Sequence, residues 1–406
     1  MKKQLLVSVD RGETRVALLE ATGKPGAAKK PASASSRAKK DPAAGYRVAE
    51  LYFERRGARS IVGNIYKGKV DNVLAGLEAA FVDIGLEKNG FLHVDEIVVP
   101  GVDVGRRGRG GQEGGSKITE LIKPGQEIVV QVVKDPLKSK GARLSMELTI
   151  AGRYMVYAPT GEGIGVSRRL DDKERDRLRK ETKGLDLRGG GAIVRTAASG
   201  ATRADFEREL QYLFKLHEVL ERRVEETTAP GLVFQEADLS VRVVRDIFSE
   251  HFERAIVDDA KQHHRLTSFF ERTAPELVDR VELYEDKQPL FEAYGVEKVI
   301  DGLMTRRVDL PSGGYLIIDY AEALTVIDVN SGSFIGRGKG ARLEDTITTT
   351  NLEAAEEVVN QLRLRDIGGI IVIDFIDMAR ARNRDAVLKT LRQTLDEDRT
   401  KTFTAE

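Results

Sequence analysis

At 406 residues the chain is long enough for several cores, roughly two to four domains. Its 65 Lys and Arg balance 65 Asp and Glu, so no global field draws in nucleic acid, and any such binding has to come from local basic patches. Zero cysteine excludes disulfides and thiolate metal sites and fits a cytoplasmic setting, and with no signal-like apolar region and no apolar run of about 18 residues, neither secretion nor a membrane span is expected.

Gln4–Val9 and Thr14–Glu20 are apolar-rich runs around Asp10-Arg-Gly and predict a strand pair with a tight turn. The stretch Thr22–Gly45 carries six cations against one Asp and little apolar surface, so it is expected to be disordered, as a solvated loop or a basic arm. Regular structure resumes at Tyr46–Ser60.

From Gly63 to about Leu148 short strands alternate with glycine turns: Lys67–Val73, Ala79–Ile84, Gly90–Val94, Glu127–Val133 and Ala142–Glu147. That pattern predicts a small antiparallel barrel. Glu78-Ala-Ala-Phe-Val-Asp-Ile-Gly85 followed by Gly90-Phe-Leu-His93 resembles an S1 domain, an oligonucleotide-binding barrel. Single-stranded bases stack on exposed rings for roughly 1–3 kcal/mol each, which makes Phe81 and Phe91 candidate platforms. Both rings read equally as barrel core. Lys134 and Lys140 are candidate backbone contacts, and the glycine- and arginine-rich stretch Gly105–Ser116 reads as a rim loop.

A charged helix is expected near Asp171–Lys183, and Gly190-Gly-Ala-Ile-Val-Arg-Thr-Ala197 is a buried run ended by Arg195 and Thr196. A guanidinium and a hydroxyl side by side both donate to phosphate oxygens, although a structural salt bridge is the default for such a pair. The helix Ala204–Val224 carries Phe206, Leu210, Leu213, His217, Leu220 and Val224 on one stripe, with His217 read as a packed histidine. Ala237–Ile247 reads as an alternating strand running into a short amphipathic stretch, followed by charged helices up to about Leu303.

Tyr315–Asp319 and Leu324–Asn330 are β-branched runs that read as a hairpin, and Ile370–Asp374 is a third. Leu343–Arg365 lies between the last two at helical spacing and makes a strand–crossover–strand unit with parallel neighbours. The C-terminal ends of such strands share an edge where α/β sheets place ligands, and Asp328 and Asp374 both sit there. Together with the amide of Asn330 they make a hard-oxygen set that suits Mg²⁺. Spacing alone equally permits strand-end caps or salt-bridge partners. The basic loop Gly336-Arg-Gly-Lys-Gly-Ala-Arg342 beside them suits a phosphodiester substrate.

Thr325-Val-Ile-Asp-Val-Asn-Ser331, Asn351-Leu-Glu-Ala-Ala355, Gln361-Leu-Arg-Leu-Arg-Asp366 and Gly369–Met378 closely resemble the catalytic region of the ribonuclease E/G family, and the likeness runs over nearly the whole chain. The resemblance implies an α+β multidomain fold: an RNase H-like subdomain from 1–62 and 237–303, an inserted S1/OB-type barrel at 63–148, a 5′-sensor region at 149–236, and a DNase I-like catalytic domain at 304–406. It implies a Mg²⁺-dependent endoribonuclease acting on single-stranded, AU-rich RNA in RNA processing and mRNA decay, stimulated by a 5′-monophosphate. Asp328 and Asp374 then hold the metal and Asn330 assists. Phe81, Phe91, Lys134 and Lys140 bind RNA. Arg195 and Thr196 grip the 5′-monophosphate with backbone donors at Gly152 and Val156, and Lys401 stands where the family has an arginine, with Arg399 near enough to substitute. The RNase H-like part lacks acidic catalytic residues in that family, so Asp10 and Asp246 read as structural. The family's Cys-x-x-Cys zinc link, which joins chains into homo-oligomers, has no counterpart in a cysteine-free sequence, and Thr402-Phe-Thr-Ala-Glu406 reads as a stop inside the catalytic domain. The rival expectations are a non-catalytic RNA-binding fragment and a DNA nuclease using the same carboxylates.

Overall fold

A computed structural model of the chain describes residues 2–21, 45–98, 117–137, 140–249, 251–332, 343–396, 398 and 400–405. The basic insert (save Gly45), the loops Gly105–Ser116 and Gly336–Arg342, and Arg399 lie outside the described residues.

The first unit is a five-stranded mixed sheet. Lys3–Val9 lies at its centre, antiparallel to Glu13–Ala21 and parallel to Phe252–Val257. Tyr46–Arg55 forms one edge and Val281–Leu283 the other. Both faces are covered, which is why these strands read as near-continuous apolar runs. Leu5, Val7, Val16 and Leu18 pack on Phe248, Phe252 and Phe270, while Leu6, Ala17 and Leu19 pack on Leu290, Phe291 and Tyr294.

One expectation is corrected here. Leu239–Ile247 is a helix rather than a strand. The Asp238 side chain accepts from the Val241 N–H at 3.1 Å and caps it, and buried Leu239, Val243 and Val244 recur at helical spacing. The valines mimic a strand, but cap and periodicity decide.

Ile65–Leu74 pairs with Ala79–Asp83 on one side and Glu127–Lys134 on the other, so the five strands of the second unit close into a barrel. Val70, Val82, Leu92, Ile128, Val130, Val132 and Leu144 fill it. Closure removes the free edges that a small sheet would otherwise expose. Gly231–Phe234 adds a further strand alongside Ile65–Leu74.

A third sheet runs Gly163–Val166, Gly191–Val194, Met155–Ala158 and Ile150–Ala151. It packs against the helix Arg203–Glu226 through Met155, Tyr157, Phe206, Leu210 and Phe214. His217 is partly buried with its ring edge-on to Tyr157, in keeping with a packing role.

The fourth sheet has the order Arg307–Asp309, Tyr315–Tyr320, Leu324–Asn330, Ile370–Asp374. The first three strands are antiparallel and the last pair is parallel, joined by the helix Leu343–Leu364. Leu316, Ile318, Ile327 and Val329 meet Ala354 and Val358 on one side of that helix, and Val387 and Leu391 of the helix Ala381–Asp396 meet Ala355 and Val359 on the other. Near its C-terminal end Arg363 reaches back to Glu20 and Glu50 of the first sheet, at 3.2 and 2.9 Å. Among the described residues no helix is long and apolar enough to cross a membrane.

Candidate functional site

Strand periodicity builds the central cluster. In Leu324–Asn330 the odd-numbered residues Thr325, Ile327 and Val329 are buried under the crossover helix, so the even-numbered ones face outward. Asp328 and Asn330 therefore share the open face. Asp328 is the direct register partner of Asp374 across the parallel pair, which sets their backbones about 4.8 Å apart. Both are exposed, and Asn330 Nδ2 donates to Asp328 Oδ2 at 2.8 Å. Like charges side by side on neighbouring strands repel unless a cation lies between them. Among the described residues neither carboxylate has an ion-pair partner, and no three His, Cys, Asp or Glu side chains come together as a group able to hold a metal ion. Two carboxylates and an amide fit an ion that keeps several waters, as Mg²⁺ does.

The loop after Asp374 is held from behind. Asn351, fully buried, donates from Nδ2 to the Ile376 carbonyl at 2.7 Å and accepts from the Ile376 N–H at 3.1 Å. Glu344 accepts from the N–H groups of Ala379 and Arg380 at 3.2 and 2.9 Å and from Asn383 Nδ2 at 3.0 Å. The Arg380 N–H is the leading influence holding the Glu344 carboxyl below its usual range. Sequence spacing gives no sign of either clamp beyond their place on one helix.

A second cluster gathers around Arg195. Its Nη1 donates to the Gly152 carbonyl at 2.7 Å, and its Nη2 pairs with Asp246 at 2.7 Å. Asp246 also pairs with Arg245, whose guanidinium reaches Glu236. Burial raises the Asp246 carboxyl, but Arg245 and Arg195 outweigh it and leave it below its usual range. Asp246 is thus tied into an ion-pair network, and it is the direct partner of the candidate phosphate-binding arginine.

The turn between Ile150–Ala151 and Met155–Ala158 hangs on Glu209. This fully buried carboxylate accepts from the N–H groups of Arg153, Tyr154 and Met155 at 2.5–3.0 Å. Burial pushes it up to about 7 against the pull of those donors. A Cβ on Gly152 would stand 2.7 Å from the Glu209 carboxyl carbon, so glycine is required for that approach. Gly152 lies on the turn that receives Arg195, Val156 lies in the strand that follows it, paired with Ala151 and Ile193, and Thr196 is exposed next to Arg195 in the chain. The Gly152 N–H is bonded to the Met155 carbonyl at 2.8 Å, so a phosphate accepting from it has to displace that bond. Lys401 lies against the Phe403 ring, and among the described residues no hydrogen bond or ion pair joins it to the Arg195 cluster.

On the barrel, Phe81 and Phe91 are register partners whose rings meet edge-on at 6.0 Å. Both are half-buried rather than enclosed, so each ring keeps part of its surface within reach of a base. Lys134 is exposed at the end of its strand, and Lys140 is exposed in a bridge with Leu137.

Comparison with known proteins shows the family. Residues 149–406, more than half of the chain, match the family model described as the Ribonuclease E/G family. The chain is 40% identical to Ribonuclease G of Escherichia coli (strain K12) over 404 residues, covering 99% of this chain and 77% of that protein. It is 40% identical to Ribonuclease G of Haemophilus influenzae over 401 residues, 98% and 76% of the two chains. Ribonuclease E of Nostoc sp. is 38% identical over 343 residues, 83% of this chain and 48% of its own. The chain belongs to the ribonuclease E/G family and is an endoribonuclease.

Proposed function

We propose that the chain cuts single-stranded, AU-rich RNA with the help of Mg²⁺ held by Asp328 and Asp374, in RNA processing and mRNA decay, with 5′-phosphate and 3′-hydroxyl products. The observation that carries this reading is the direct register pairing of the two carboxylates on the open face of the fourth sheet. When bound, the ion supplies positive charge against the negative charge that builds on the phosphodiester oxygens. In this reading the Asn330 amide, which gives one N–H to Asp328 Oδ2, offers its other N–H to the scissile phosphate. The helix Leu343–Leu364 and the Asn351 clamp keep both strand ends from shifting.

In the same reading Phe81 and Phe91 stack bases, and Lys134 and Lys140 hold the strand's backbone. Arg195 and Thr196, with Gly152 and Val156, favour RNA carrying a 5′-monophosphate. Lys401 contributes at most a point charge there. The order of the first sheet, with three antiparallel strands followed by two parallel ones from far along the chain, supports the RNase H-like subdomain formed by 1–62 and 237–303. The fourth sheet and its two helices support the DNase I-like name for 304–406.

The test is cleavage of a 5′-monophosphorylated AU-rich RNA in Mg²⁺ and in EDTA, beside DNA of equal sequence. RNA product only with the metal supports the reading. Product in EDTA removes the metal, equal cutting of DNA removes the RNA preference, and tight binding without product leaves an RNA-binding module.

A further inference from the structure

We infer that Arg143 is a further RNA contact of the barrel and that Glu96 competes with RNA for it. The inference rests on the barrel's reading as the strand-binding surface and extends it by one residue and one regulator of affinity.

A single rung of register partners crosses four strands. Phe81 is opposite Phe91, Phe91 is opposite Arg143, and Arg143 is opposite Lys134. Register partners project from the same face. Their immediate neighbours Ala80, Val82, Leu92 and Leu144 are buried in the barrel, so the rung itself faces out. Phe81, Phe91 and Arg143 thus stand in line, each about 4.8 Å from the next, and exposed Lys134 follows across an irregular step in the register after Val132. RNA whose bases stack on the rings runs its backbone toward Arg143 before it reaches Lys134. A guanidinium at that place forks onto a phosphate or stacks on a base, which an ammonium does less well.

Arg143 is neither buried nor tightly held. Its Nη2 lies 3.3 Å from Glu96 Oε1, with 43% and 28% of the two side chains exposed. Such a long, solvated pair is a weak one. The Glu96 main chain is fixed because its carbonyl accepts the Met146 N–H at 2.8 Å, next to the strand Arg143–Ser145. Its carboxylate is thereby kept within reach of Arg143 and competes with a phosphate for the guanidinium.

Fluorescence anisotropy with a labelled, unstructured U-rich RNA over a range of salt separates a binding role from a structural one. Arg143→Gln should weaken binding about 5- to 20-fold and lower the salt slope by about one. Arg143→Lys should keep the slope with intermediate affinity. Glu96→Gln should tighten binding about 2- to 5-fold, and the double variant should match Arg143→Gln. If Glu96→Gln weakens binding as Arg143→Gln does, the pair is structural and the inference fails. It also fails if Arg143→Gln leaves affinity and slope unchanged while Phe91→Ala weakens binding. If Phe91→Ala is without effect and Arg143→Gln is not, the stacking reading fails and the cation contact stands.

Discussion

The Asn351 side-chain amide bonds both the carbonyl and the N–H of Ile376, at 2.7 and 3.1 Å, and Ile376 lies two residues beyond Asp374. A side chain of no accessible surface thus fixes the exit of the strand that carries half of the candidate metal site. Asn351→Leu keeps the branched shape but takes their partner from the half-buried Ile376 N–H and carbonyl, at a cost of about 1–3 kcal/mol. The catalytic effect should exceed the stability effect: at a temperature where the variant is folded, kcat falls about 10- to 100-fold and half-saturation by Mg²⁺ moves to higher concentration, with KM for RNA little changed. Thermal melting alongside a Mg²⁺ titration of the rate checks this. A variant that is less stable but equally active would show that Asn351 serves folding alone.

The Glu209 anchor gives a second prediction. Glu209→Gln sets an NH₂ among three backbone N–H groups, and Gly152→Ala drives a methyl into the carboxylate. Both distort the turn whose carbonyl receives Arg195. Each should cost about 1–3 kcal/mol and bring the rate ratio of 5′-phosphorylated to 5′-hydroxylated RNA toward one, sparing cleavage of the 5′-hydroxyl substrate. Parallel time courses on the two substrates read the ratio directly.

Arg363 ties the crossover helix to the first sheet, and the tie is sensitive to acid. Burial alone would raise the Glu20 carboxyl, but Arg363 and then Lys3 outweigh it and hold it at about 2, against 4.5 unperturbed. A depressed acid stabilises the fold above its unfolded value and loses that contribution as pH falls toward its folded value. The loss is therefore expected between about pH 5 and pH 2, on the order of 3 kcal/mol. Arg363→Met removes the guanidinium that Glu20 and Glu50 share, leaving Glu20 to Lys3 and Glu50 to the Tyr52 hydroxyl, should cost about 2–4 kcal/mol near neutrality, and should shrink the acid-dependent part. Urea unfolding from pH 7 to pH 3 measures both.

The parts legible in the sequence are those where local pattern and fold agree. The β-branched runs at Tyr315–Tyr320, Leu324–Asn330 and Ile370–Asp374, with a helical repeat between the last two, fix the hairpin, the parallel pair and the meeting of Asp328 with Asp374. The barrel strands are marked by their glycine turns. Residues whose partners lie far along the chain are not legible in this way. Lys3–Val9 finds Phe252–Val257 across about 250 residues of chain. Glu209 becomes an anchor only when its helix packs on the Gly152 turn, and Arg143 joins Phe91 only through register. At Leu239–Ile247 the valines pointed to a strand, and a cap at Asp238 made a helix.

The carboxylate pair is tested most directly by measuring cleavage and binding together for Asp328→Asn and Asp374→Asn. With a single-stranded RNA in saturating Mg²⁺, each variant should lose several kcal/mol of barrier lowering, a drop of about a thousandfold or more, while affinity through the barrel stays within about twofold of the parent. Cleavage at the parent rate in either variant, or affinity lost in step with cleavage, would contradict a metal-holding role for the two aspartates.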